Sequence, residues 1–240
     1  MQKTAGFCRH IEKDWLEQTL RWVARGASLT DLNSNIESLL THTISTKENR
    51  RKARNLLTSI WARPSDLRLV SFFDAGLDLH TKADAFMLSI HWGMLIARKP
   101  FFAEVARFIG RQLRLNDMFT FGQVSRRMSL LYGETETTRR ALSAVLRTMI
   151  ELGVLKRNEK SATYQVISNN QLVSADIASW LINAVFISDS IESRDLYEVL
   201  NDQVWFPFTL SITPNNLDCS FFEQHQQGNT IILFKKRETR

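Results

Sequence analysis

The sequence predicts a mainly α protein in three consecutive parts. These are a multi-helix N-terminal domain (1–116), a winged helix-turn-helix (117–168), and a small C-terminal region of helix plus antiparallel sheet (169–240) packed on the rest. Three observations lead there. The first half is a succession of amphipathic patterns with connections of about 2–6 residues, as in helical bundles. Between Thr120 and Ile167 two helical patterns, a short polar turn and a basic β-ribbon follow one another. Beyond Ile167, β-branched and aromatic runs alternate with turn residues. At 240 residues, 44% hydrophobic and 23% charged, the chain is long and apolar enough to bury a core.

The first helix is expected over Arg9 to Ala24, with Ile11, Trp15, Leu16, Leu20 and Trp22 or Val23 on its apolar side and Gly26 ending it. A second runs from about Thr30 to Thr41. Ser45-Thr46-Lys47-Glu48 reads as a capping box opening a third, which Pro64 stops after Trp61. Ser65 or Asp66 starts a short fourth helix ending near Gly76. Thr81-Lys82-Ala83-Asp84 is a second capping box, opening a helix that carries Phe86, Leu88, Ile90, Trp92 and Leu95. Pro100 separates it from a helix over Phe101 to Leu115. The most apolar stretch, Ala85 to Ala97, falls short of the roughly 20 residues a bilayer span needs, so it reads as a core helix. With no apolar N-terminal run, no signal peptide is expected, and the chain is assigned to the cytoplasm without membrane partners.

The second helix of the central unit, about Glu136 to Leu152, carries the functional argument. Thr135 caps it and Gly153 stops it; Leu142, Val145, Leu146 and Met149 form its core face. At roughly 100° per residue, Thr137, Arg140, Ala144 and Arg147 lie opposite, with Arg139 at the flank. Small residues between guanidinium groups allow close approach to a DNA groove, where Arg pairs with phosphate or with a guanine edge. The ribbon, Val154 to Lys160 and Thr163 to Ile167, adds Lys156, Arg157 and Lys160 near its tip. Arg126 and Arg127 on the preceding helix (about Phe121 to Tyr132) complete a segment, 118–167, that holds eight Lys and Arg against four Glu. Its +4 is most of the chain's net +6. Two further basic stretches are candidates for DNA contact. Lys47, Arg51 and Arg54 should face out from the third helix, and residues 98–114 carry Arg98, Lys99, Arg107, Arg111 and Arg114.

In the C-terminal part, helices are expected over Val173 to Phe186 and Arg194 to Asn201. Strands are expected over Trp205 to Ile212 and Thr230 to Lys235, with a short one at Phe221-Phe222 and turns at Pro214-Asn215-Asn216 and Gln227-Gly228-Asn229. The aromatics of this region read as core.

Tests for catalysis and cofactors fail. There is no phosphate-binding glycine loop and no dinucleotide fingerprint. The five histidines never pair at i, i+4, and the two cysteines, Cys8 and Cys219, have neither zinc nor disulfide spacing. Neither an enzyme nor a metal protein is expected.

The order of features resembles the BrxA-like family encoded in BREX phage-defence islands. The likeness is carried by Ser45 to Ile60, by Trp92, Ala97, Pro100-Phe101-Phe102 and Ile109-Gly110, by the Arg-rich winged helix ending in Leu152-Gly153-Val154-Leu155, and by Trp205-Phe206-Pro207-Phe208 with the strand after it. It covers roughly residues 40–236. The resemblance implies a compact, mainly helical, non-enzymatic accessory protein that binds double-stranded DNA and works with other proteins of a defence complex. It brings no catalytic residues. The alternatives are a protein–protein adaptor within that complex and a local transcriptional regulator.

Overall fold

The computed structural model of the chain describes residues 4–82, 87–167 and 171–236, with the side chains of Arg68 and Met87 left aside. It is mainly helical, with small sheets. Two compact units form, each from two stretches of chain: Met1–Arg63 with Arg111–Ser168, and Pro64–Gly110 with Asn169–Arg240. This interleaving differs from the consecutive parts 1–116, 117–168 and 169–240. The N-terminal helices share a core with the basic central segment instead of making a separate domain.

In the first unit, α1 (Lys13–Ala24), α2 (Leu29–Thr41) and α3 (Lys47–Trp61) pack on one another through Trp15, Leu16, Leu20, Leu32, Ile36, Leu40, Leu56, Leu57 and Ile60. Gly26 ends α1 with a positive φ of 80°, and Ser28 caps α2 by accepting from the Asp31 N–H. Helix α1 starts four residues later than expected. Residues 4–12 are irregular, although Phe7 and Ile11 are fully buried, because apolar spacing marks burial before it marks helix. The expected box at Ser45 does not form: Thr46 is the N-cap residue of α3, and its side chain makes no cap hydrogen bond.

Later in this unit come β1 (Met118–Thr120), α7 (Phe121–Tyr132), α8 (Glu136–Glu151), β2 (Leu155–Asn158) and β3 (Thr163–Val166). The strands form an antiparallel sheet of order β1-β3-β2, pairing Phe119 with Tyr164 and Tyr164 with Arg157. The third strand, β1, escaped the sequence reading because it is three residues long and runs straight into α7.

The second unit is built around α9 (Ala175–Asp189), which buries every residue from Ile177 to Phe186. Trp180 lies against α4 (Val70–Lys82) and α5 (Met87–Arg98), stacked on Phe72 at 4.6 Å, with its Nε1 donating to the Phe72 carbonyl at 2.8 Å. A Cβ at Gly93 would come within 2.1 Å of the indole and one at Gly76 within 2.8 Å. Gly76 is therefore a packing residue inside α4, where a helix end was expected, and a 3-10 turn (Leu67–Leu69) precedes that helix. Thr81 lies within α4; Ala83, Asp84, Ala85 and Phe86 of the second expected capping box and apolar stretch lie outside the described residues. Among the described residues no helix is long and apolar enough to cross a membrane.

Helix α6 (Pro100–Leu115) is followed, in the C-terminal stretch, by β4 (Gln171–Val173), β5 (Ser193–Asp195), α10 (Leu196–Leu200), β6 (Phe208–Leu210), β7 (Phe222–Gln227) and β8 (Thr230–Lys235). Strands β5-β8-β7 form the expected small antiparallel sheet, with Gly228 at φ +61° in the β7–β8 turn. The strand expected over Trp205 to Ile212 shrinks to β6, because Gln203–Trp205 is a 3-10 turn, and β6 pairs in parallel with β4. The start of the helix expected at Val173 is taken by β4, and that of the helix expected at Arg194 by β5.

Candidate nucleic-acid interface

Local capping sets the geometry of the α7–α8 pair. Thr120 and Gln123 form a reciprocal capping box at the start of α7. Gly133, at φ +86°, makes the turn, and the Thr135 hydroxyl accepts from the Thr138 N–H to open α8. Leu142, Val145, Leu146 and Met149 fill the core as expected.

The exposed stripe of α8 is Glu136, Thr137, Arg139, Arg140, Ser143, Arg147 and Glu151. One position, Ala144, differs from the expected face, and Thr148 beside it is covered with it. Ala144 is only 8% exposed and Thr148 is buried, because the irregular segment 4–12 covers that flank and the Ile11 N–H donates to the Thr148 hydroxyl at 3.0 Å. Ser143 takes the outward place that helical averaging had assigned to Ala144. No periodicity argument within α8 could reveal a cover that comes from residues 137 positions away.

The arginines of the stripe are held in exposed ion pairs. Arg140 Nε donates to Glu136 at 2.9 Å, with Arg139 at 3.9 Å from the same carboxylate, and Arg147 lies 3.9 Å from Glu151. The Arg140 and Arg147 side chains are 77% and 62% exposed. Pairs in that setting are worth about 0–1 kcal/mol, so an anionic ligand can take over these guanidinium groups at little penalty.

The ribbon divides its cations. Leu155, Arg157, Tyr164, Val166 and Phe119 share one sheet face, on which Leu155, Tyr164 and Phe119 are buried; Tyr164 stacks on Phe119 at 5.3 Å, and the exposed Arg157 guanidinium lies 6.0 Å from the Tyr164 ring. Burial pushes the Tyr164 hydroxyl above its ordinary range. Beyond this buried layer, Arg157, Tyr164 and Ala162 meet Arg139, Arg140 and Ser143 across a cleft of about 370 Å³. Lys156 is on the opposite face of the sheet, and Lys160 is in the turn, with its N–H donating to Asn158 Oδ1. Arg157 thus joins the α8 stripe, and Lys156 does not. On α7, Arg126 is exposed, with its Nε donating to the Gly122 carbonyl at 3.4 Å, and Arg127 is half-buried.

In the outlying basic stretches Lys47, Arg111 and Arg114 are exposed, while other cations are committed elsewhere. On α3, Lys47 and Arg51 are exposed, Arg51 gripping Glu48 through both Nε and Nη2. Arg54, expected outward, is half-buried, because its Nη1 reaches Glu37 of α2 at 3.3 Å beside Arg50, which donates to the same carboxylate at 2.8 Å. In the second unit Arg107 is only 12% exposed and donates to Asp189 and Asp202, a structural role where a DNA contact had been a candidate.

Beside the stripe, burial together with the Arg147 and Arg9 guanidinium groups holds the His10 imidazole down at about 4. Among the described residues no cluster of His, Cys, Asp and Glu could hold a metal ion. Comparison of the chain with protein-family models, with curated proteins and with solved structures finds no match.

Proposed function

We propose that this chain is a non-enzymatic protein that binds duplex DNA as a winged helix-turn-helix, with α8 as the helix that enters the major groove. The observation that carries the reading is the stripe Thr137, Arg139, Arg140, Ser143 and Arg147, which is exposed, free of apolar side chains, and continued across a cleft by Arg157 of the ribbon. A groove-reading helix needs that combination: donors that reach phosphate or a guanine edge, and small side chains between them. Lys160 in the ribbon turn and Arg126 on α7 are exposed and would serve as further phosphate contacts, whereas Lys156, on the opposite face of the sheet, would not. The resemblance to the BrxA-like family supplies the setting, an accessory role in a bacterial phage-defence complex.

A specific observation also favours the adaptor reading. Leu130 of α7 is 81% exposed, and Leu115, in the same unit, is 76% exposed; such apolar side chains suit a protein partner. The two readings separate by salt dependence. Each neutralised phosphate contributes about −0.9 to the slope of log affinity against log salt, whereas protein contacts contribute little.

The test is a fluorescence-anisotropy titration of labelled duplexes, unrelated in sequence, at several salt concentrations. The expected result is binding that weakens steeply with salt. Replacing Arg140 and Arg147 together by Ala should weaken binding about tenfold or more and lower the slope by about one to two, with the melting temperature nearly unchanged because both side chains are exposed. No binding at low salt by the wild-type protein would remove DNA and leave the adaptor. A marked preference for one duplex would instead indicate the regulator.

A further inference from the structure

The surface on the other flank of α8 has no counterpart in the ribbon. Phe7 and Ile11 are buried and anchor residues 4–12, and the Ile11–Thr148 hydrogen bond fixes that segment along the helix. Between the two anchors, Arg9 and His10 come to α8 and close a notch of about 350 Å³ with Arg140, Ser143 and Arg147. Three guanidinium groups and a hydroxyl therefore line one small concavity. The Arg9 Nε is shielded from solvent and has no hydrogen-bond partner. A donor left in that state costs free energy, which an incoming oxyanion would recover directly or by letting the fork rotate toward it.

The notch and the ribbon-side cleft share Arg140 and Ser143 but diverge beyond them. Arg139 belongs to the cleft and Ala144 to the notch. Five positions apart at about 100° per residue, these two side chains are separated by roughly 140° around the helix. A helix about 10–12 Å across, seated in a major groove about 12 Å wide, has a phosphate backbone at each wall. A reader with cations on one flank only would leave one wall unmatched.

We propose that this notch is a phosphodiester site: Arg9, with Arg147 and Arg140, grips one backbone phosphate on the flank of α8 away from the ribbon. The proposal rests on the duplex-binding reading above and deepens it, making residues 4–12 a second arm of the interface. Glu136 and Glu151 are the carboxylates that now pair with Arg140 and Arg147, and a phosphate displaces them from exposed positions. Burial first, and then the charges of Arg147 and Arg9, hold the His10 imidazole beside the notch down at about 4.

The experiment compares the full-length wild-type chain with Arg9→Gln by duplex titration over a series of salt concentrations. The substitution should lower the salt slope by about one and weaken unrelated duplexes equally, several-fold at low salt. A wild-type slope in Arg9→Gln overturns the notch while leaving α8 as the reader; absence of duplex binding by the wild-type chain overturns the reading itself. A second measurement needs no variant. Cys8 lines the notch and is exposed, whereas Cys219 lies in the other unit and serves as an internal reference. Duplex DNA should slow iodoacetamide alkylation of Cys8 relative to Cys219, as followed by peptide mass spectrometry. If inorganic phosphate protects Cys8 and duplex does not, the notch belongs to a free phosphate compound, and the backbone assignment falls.

Discussion

Arg107 and Arg140 carry the same guanidinium group and meet opposite fates. Arg140 is 77% exposed and pairs with a carboxylate one helical turn away. Arg107 is 12% exposed and donates to Asp189 and Asp202, which lie 82 and 95 positions along the chain. Burial alone would lower the Arg107 pKa, but the charges of Asp202 and Asp189 more than offset it, and the group stays firmly protonated. Asp202 is in the mirror situation. Burial pushes its carboxyl up, yet Arg107, the Val204 N–H and Arg194 overcome this and leave it below the ordinary carboxylate range. Removing the buried acid would strand Arg107 and Arg194 with fewer partners. Asp202→Ala should therefore destabilise the protein by about 3 kcal/mol, the low end for breaking a buried pair because Asp189 still holds Arg107. Urea denaturation checks this; a loss below about 1 kcal/mol would show that the network is a surface decoration. None of this was legible in the sequence. Arg107 stood in a basic run like any other, and nothing local announces partners so distant.

At the level of elements, legibility follows how far away the deciding contact lies. The bounds of α7 and α8 are set by Thr120, Gly133, Thr135 and Gly153, all within a few residues of the ends they control, and the pattern located both helices closely. Gly76 shows the opposite case. As a local signal it suggested a helix end, but its reason is the Trp180 ring, which no local rule contains. The same contact makes Gly93 and Gly122 an instructive pair. Both are helical glycines, and Ala is intrinsically favoured over Gly in a helix by about 1 kcal/mol. At Gly122 an added Cβ meets nothing within 4 Å, so Gly122→Ala should stabilise by up to about 1 kcal/mol. At Gly93 it would meet Trp180 at 2.1 Å and Leu181 at 3.0 Å, and Trp180 is fixed by its hydrogen bond to Phe72. Gly93→Ala should lose about 1–3 kcal/mol and shift the tryptophan emission as the indole is displaced. Thermal melts of the two variants should move in opposite directions, and a rise in both would mean that propensity alone governs both sites.

At the scale of the whole molecule, the two units carry different titrating groups, so acid should act on them in different windows. His10, in the first unit, has an ordinary value of 6.5 and is held at about 4 when folded. Between those values the unfolded chain binds more protons than the folded one, so stability rises with pH from 4 to 6.5 and is complete above 6.5. Glu12 opposes this in part, since burial and the Glu151 charge raise its carboxyl above 4.5 and favour the folded chain while it is protonated. Asp202, in the second unit, is lowered from 3.8; its contribution is complete above that value and is lost as pH falls through the folded value. At pH 5 the first unit should be weakened and the second intact. Hydrogen exchange read by peptide mass spectrometry and corrected for intrinsic rates should show this: between pH 7 and pH 5, opening free energies fall in α1 and α8 and hold in α9. His10→Asn should remove most of the difference. Duplex DNA should narrow the difference in part if a phosphate sits beside Arg9 and Arg147, because an anion there offsets the cationic share of the depression while burial, the larger cause, remains. Unchanged exchange in α8 across that range would show that His10 is not coupled to the stability of the helix it touches.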